Sequence, residues 1–84
     1  VTTLRHVRFR NAGHGASFHS SSSNSIVNAQ FVNCKYPVSN TGTGPAGCYN
    51  LLIDNVLAGG YAFYGWSNLT TIYAEHVTIH KAPN

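Results

Sequence analysis

The stretch Ser25-Ile26-Val27-Asn28-Ala29-Gln30-Phe31-Val32-Asn33-Cys34 decides the fold. Ala29 and Phe31 alternate with Gln30 and Val32, which is the spacing of a β-strand with one face turned to a core. Asn33-Cys34 breaks that alternation. Asparagine tolerates a left-handed backbone and hydrogen-bonds its neighbours, so it suits a corner. The same template stands upstream as Leu4-Arg5-His6-Val7-Arg8-Phe9-Arg10-Asn11-Ala12. There Leu4 matches Ile26, Val7 matches Ala29, Phe9 matches Phe31, Asn11 matches Asn33 and Ala12 matches Cys34.

Two weaker copies follow. In Ile53-Asp54-Asn55-Val56-Leu57-Ala58, the residues Ile53, Val56 and Ala58 take the apolar positions. In the segment from Ala74 to Ala82, Ala74, Val77, Ile79 and Ala82 do so. The copies start at residues 4, 26, 53 and 74, giving steps of 22, 27 and 21 residues. Repeats of this length signal a stacked array. Strands of period two with no helical stretch between them make it a β-solenoid. Stacking would place Leu4, Ile26, Ile53 and Ala74 in one interior column, and Phe9, Phe31, Ala58 and Ile79 in another. The crossover rule for parallel strands adds a right-handed winding. The expected fold is all-β, a right-handed parallel β-helix of about three to four coils. Residues 1–84 would form one solenoid domain, with a Gly-rich loop insertion at 39–48 that accounts for the longer middle step.

Charged residues are 8% of the chain and hydrophobic ones 43%, the reverse of a disordered composition. A surface rich in Ser, Thr, Asn and Gly suits extracellular or cell-surface β-structure. The formal net charge is +3, and Arg8 and Arg10 alternate with Val7 and Phe9, so they project together. Such a pair suits an acidic polysaccharide. A solvated strand face is the simpler reading, and three arginines are too weak a footprint for nucleic acid. No apolar run approaches the roughly 20 residues of a membrane span. The chain opens at Val1 without a signal peptide, which suggests a processed product or a piece of a longer protein.

The segments His6-Val7-Arg8-Phe9-Arg10-Asn11-Ala12 and Asn28-Ala29-Gln30-Phe31-Val32-Asn33-Cys34 resemble the coils of the right-handed parallel β-helices of the pectate-lyase-like superfamily. Those coils often run as polar, apolar, x, apolar, x, Asn, small. The resemblance covers nearly the whole chain and concerns the scaffold. It implies the fold, and a superfamily that includes polysaccharide lyases, glycoside hydrolases, phage tailspikes and surface adhesins.

Chemistry is sparse. Asp54 and Glu75 are the only acids. Each precedes an apolar position of its copy by two, so they are expected on equivalent positions of successive coils. Two carboxylates across a bond are the minimum for glycoside hydrolysis. The hydrolases of the superfamily use an aspartate cluster that is absent here, and its lyases use calcium-binding acids. Two acids fall short of the usual calcium shell. No catalytic residue and no cofactor are assigned. His6, His14, His19, His76 and His80 show no zinc spacing, so no metal site is assigned either. His6 and His76 are expected in one column with Asn28 and Asn55.

Cys34 and Cys48 are two thiols that either close the Gly-rich loop as a disulfide or stay separate and buried. The most aromatic stretch is Tyr61-Ala62-Phe63-Tyr64-Gly65-Trp66. Alternation puts Tyr61 and Phe63 on one face, Tyr64 and Trp66 on the other. The outward set among Tyr61, Tyr64 and Trp66, with Arg8 and Arg10, is the candidate ligand surface. Aromatic platforms stack on sugar rings, although core packing is the commoner role of such residues. Two functions follow. The first is a non-catalytic structural module that stacks on itself or on neighbouring coils into a filament or surface scaffold, because a coil stack has two open edges. The second is a polysaccharide-binding module or fragment of a carbohydrate-active protein.

Overall fold

In the computed structural model, which describes residues 2–19, 21–65 and 71–82, every pairing of strands is parallel. The strands are β1 (Thr2–Arg5), β2 (Arg8–Arg10), β3 (His14–Phe18), β4 (Asn24–Val32), β5 (Tyr36–Asn40), β6 (Ala46–Asp54), β7 (Phe63–Gly65) and β8 (Ile72–His80). One sheet runs β1-β4-β6-β8, with β2 also paired to β4, and a second runs β3-β5-β7. Together they wind a parallel β-solenoid of about three turns, with no helix among the described residues.

Two ladders of left-handed residues make the corners. His6, Asn28, Asn50 and His76 all have φ between 53° and 59°, and Asn11, Asn33, Asn55 and Lys81 lie between 55° and 60°. A single left-handed residue resets which way side chains point. That is why Ile26 and Ala29, three apart, are both buried while Asn28 between them is exposed. Asparagine fits because its short amide bonds locally in this conformation. The amides also join coil to coil: Asn50 Nδ2 donates to Asn28 Oδ1 at 2.6 Å, Asn33 Nδ2 to Asn11 Oδ1 at 3.1 Å and Asn55 Nδ2 to Asn33 Oδ1 at 2.7 Å. The corner N–H groups stay in the ladder, as in Asn33 N to Asp54 O at 3.0 Å.

Interior columns follow the pairing. Phe9 lies on Phe31, with ring centroids 5.1 Å apart and planes within 5°. The next residue in that column is Ile53, and then Ile79. The neighbouring column holds Leu4, Ile26, Cys48 and Ala74. The expected third copy is therefore corrected: Ile53 belongs with Phe31, Leu51 with Ala29, and Cys48 takes the place expected for Ile53. His76 stacks over Asn50, while Asn55 belongs to the other ladder.

The step lengths change accordingly. The copies begin at 4, 26, 48 and 74, so the long step is the last one. Residues 39–48 add no length to their coil. They are held close, because the buried Asn40 donates Nδ2 to Gly44 O at 2.9 Å and to Thr71 O at 3.0 Å, and accepts from Gly42 N at 3.2 Å. Three of the four extra residues are Ala58, Gly59 and Gly60, a turn closed by Gly60 N to Leu57 O at 3.0 Å, and the fourth enters between β7 and β8. Gly59 has φ +82°, and a Cβ on Gly60 would sit 1.8 Å from Lys35 O.

Candidate functional site

The outer flank of the β3-β5-β7 sheet gathers aromatic and hydroxyl side chains. Parallel pairing sets His14 beside Tyr36, and their rings stack with centroids 5.0 Å apart and planes 22° apart. Tyr64 joins Tyr36 at 5.3 Å, and Tyr61 stacks on Tyr64 at 6.0 Å with 19° between planes. Lys35 Nζ stands 5.6 Å from the Tyr36 centroid, within cation–π range. Tyr36 OH donates to Gly59 O at 3.5 Å, which ties the platform to the extra turn.

Beside the rings is a cleft of about 280 Å³ lined by His14, Ser17, His19, Tyr36, Ser39, Thr41 and Tyr64. Ser17 Oγ and His19 Nε2 share a hydrogen bond of 3.0 Å, and Thr41 Oγ1 pairs with His19 Nδ1. Ser39 differs. It is buried, and its Oγ has no hydrogen-bond partner among the described residues. An unpaired buried hydroxyl costs free energy that a bound hydroxyl or water recovers. A second groove of about 390 Å³ follows the first corner ladder beside Asn28, Asn50 and His76.

The expected ligand residues are only partly brought together. Tyr61 and Tyr64 meet, which corrects the expectation that they face opposite ways. Phe63 instead packs half-buried against the core. The cause is local: β7 begins only at Phe63, so Tyr61 sits on the corner after the extra turn, where strand alternation does not apply. Trp66 lies outside the described residues. Arg8 and Arg10 are exposed on β2, in the other sheet from the tyrosines. Their column neighbours are Gln30 and Val32, then Leu52 and Asp54, so the cationic stripe does not extend past the first coil.

His14, Tyr36 and Ser39 were not singled out as ligand residues. A signal existed, since His14 and Tyr36 are separated by the same 22 residues that separate the corner asparagines Asn28 and Asn50.

Asp54 and Glu75 are not neighbours, which corrects their expected equivalence. Asp54 pairs with His80 and Glu75 with Tyr49. Asp54 Oδ1 lies 2.9 Å from His80 Nδ1 on an exposed face, an arrangement of little energetic weight. Cys34 and Cys48 are both free and buried, so the disulfide alternative gives way to separate thiols. Cys34 Sγ lies 3.7 Å from Phe9 O at a corner, whereas Cys48 stands in the Leu4–Ile26 column. Burial pushes the Cys48 thiol from 9.0 up to about 11, so it stays protonated at neutral pH and is a poor nucleophile. Among the described residues no group of three His, Cys, Asp or Glu is placed to hold a metal ion. No helix among them is long and apolar enough to cross a membrane.

Compared with protein-family models, with curated proteins and with solved structures, the chain finds no match.

Proposed function

We propose that this chain is a non-catalytic scaffold module, a run of solenoid coils whose two open edges are joints for further coils. One observation carries the reading. The interior columns of the β1-β4-β6-β8 sheet and both corner ladders run out to each edge in the same pattern. Leu4, Val7 and Phe9 stand at one edge, and Ala74, Val77 and Ile79 at the other. At the second edge Ile79 is 44% exposed, although its column neighbours Ile53 and Phe31 are fully buried. An edge with unpaired backbone groups and bare core residues is a template for another strand. The right-handed pectate-lyase-like superfamily is the natural home for such a module. An extracellular or cell-surface setting fits its neutral polar surface. Light scattering tests the scaffold reading: the weight-average mass should rise with protein concentration at neutral pH, and a constant monomer mass counts against it.

A second reading, polysaccharide binding on the flank, is favoured by the tyrosine platform beside the unpaired Ser39 hydroxyl. Neutral sugars offer apolar C–H faces to stack on aromatic rings and hydroxyls to meet Ser39. Retention on a neutral glycan affinity gel is the expected result, and Tyr64→Ala should abolish it. Retention that survives this change sinks the assignment to the flank.

A further inference from the structure

Building on polysaccharide binding at the flank, we propose that the cleft beside Tyr36 and Tyr64 selects neutral, hydroxyl-rich sugars against acidic ones. Ser17 accepts a hydrogen bond from a sugar hydroxyl, and Ser39 gives one to its neighbour.

The selection comes from protons that the chain has already committed. A neutral imidazole carries one N–H and one lone pair. Thr41 Oγ1 contacts both His19 Nδ1 and Phe18 O, the latter at 3.3 Å. A carbonyl oxygen only accepts, so both contacts are met when the Thr41 proton goes to Phe18 O and Oγ1 accepts from the Nδ1–H of His19. The lone pair of His19 then lies on Nε2, and the Ser17 hydroxyl donates to it at 3.0 Å. The relay thus runs one way, from Ser17 through His19 and Thr41 to the backbone. Tyr36 likewise spends its proton on Gly59 O.

Ser17 and Thr41 therefore turn only lone pairs to the cleft they line. A ligand seated there must bring the proton. A sugar hydroxyl does so. A carboxylate, sulfate or phosphate has lone pairs alone and would set them against those of Ser17 and Thr41. Ser39 completes the pattern. It pairs in register with Ser17, about one strand spacing of 4.8 Å away, and Tyr64 follows it in the same column. Its buried Oγ has no partner, so its proton is uncommitted. Two adjacent hydroxyls of one sugar ring can serve the two serines, one donating and one accepting. No cation lines the cleft to offset an acidic ligand: Lys35 stands over the Tyr36 ring, and Arg5, Arg8 and Arg10 lie in the other sheet.

Affinity columns test the selection. Immobilised oligosaccharides of glucose, galactose and mannose are compared with the matching uronates, in physiological salt so that the distant arginines are screened. The wild-type chain should be retained on at least one neutral resin and more weakly on its uronate. Ser17→Ala and Ser39→Ala should each weaken neutral retention about fivefold, the loss of one hydrogen bond. His19→Ala frees the Ser17 proton, so it should strengthen uronate binding about fivefold and leave neutral retention in place. A histidine that only holds the strand in shape would not move that preference. Ser17 and His19 are exposed, and an unchanged circular dichroism spectrum checks that each variant is folded. A wild-type preference for uronates, or retention and preference that ignore the Ser17, Ser39 and His19 changes, overturns the selection; if Tyr64→Ala still abolishes neutral retention, the flank reading stands. A wild-type chain retained on no neutral resin overturns both.

Discussion

Phe31→Ala is expected to remove most of the stability of the chain. Phe31 is fully buried, stacked on Phe9 at 5.1 Å and followed in its column by Ile53. The wall opposite is built to its shape: a Cβ on Gly15 would come within 2.8 Å of the ring. Truncating a buried phenylalanine costs about 3–5 kcal/mol through lost transfer free energy and the cavity left behind. The backbone around the ring is a hydrogen-bonded ladder and has little freedom to collapse into that cavity. A chain of this length has only about 4–13 kcal/mol in total, from roughly 0.05–0.15 kcal/mol per residue. A urea titration followed by circular dichroism should show the midpoint fall by a third or more of its range, or no folded baseline at all. Phe31→Leu, which keeps most of the volume, should lose about 1 kcal/mol. A loss below about 1 kcal/mol for Phe31→Ala would place the ring outside the core.

Asn33→Val tests the corners in the same way. Asn33 has φ 55°, donates to Asn11 at 3.1 Å and accepts from Asn55 at 2.7 Å. Valine brings two penalties. A branched side chain in the left-handed region costs roughly 1–2 kcal/mol. Each lost amide bond removes a further ~0.5–1.5 kcal/mol. The expected total is about 3 kcal/mol. Asn33→Gly separates the two causes, because glycine adopts the same φ without strain but cannot bridge the coils. It should lose about half as much as Asn33→Val in the same titration. Equal losses for the two variants would mean that the backbone conformation carries no part of the effect.

These two residues were also the most legible in the sequence. Phe9 and Phe31, and Asn11 and Asn33, sit in coils whose apolar slots hold aliphatic or aromatic residues, so the pattern stands out. The sequence pattern puts the third coil five residues too late for a physical reason. Each coil has two corners, and both read as apolar, x, Asn, small: Ile26-Val27-Asn28-Ala29 and Phe31-Val32-Asn33-Cys34. Ile53-Asp54-Asn55-Val56 is the second corner, and it imitates the first. The true first corner of that coil carries Cys48 and Leu51, where the pattern calls for a large and then a small residue. The wrong register then carried Asp54 next to Glu75 and placed the extra residues at 39–48. On the flank, Tyr61 and Tyr64 were legible as aromatics, but their meeting depends on the turn at Gly59 and Gly60. Ser39 gives no sign of itself in the sequence, because its isolation is created by the side chains that cover it.

Coils that repeat every 22 residues with the same corners are also interchangeable parts. Loss of residues 29–50 would bring Asn28 directly before Leu51, and the run Ile26-Val27-Asn28-Leu51-Leu52-Ile53-Asp54-Asn55 keeps both left-handed positions and every inward residue in phase. Each coil touches only its neighbours, so such an excision removes one rung and leaves the rest of the pile intact. A gene of this design shortens or lengthens by recombination between its own copies, and inherits a working product only when the crossover spans a whole rung.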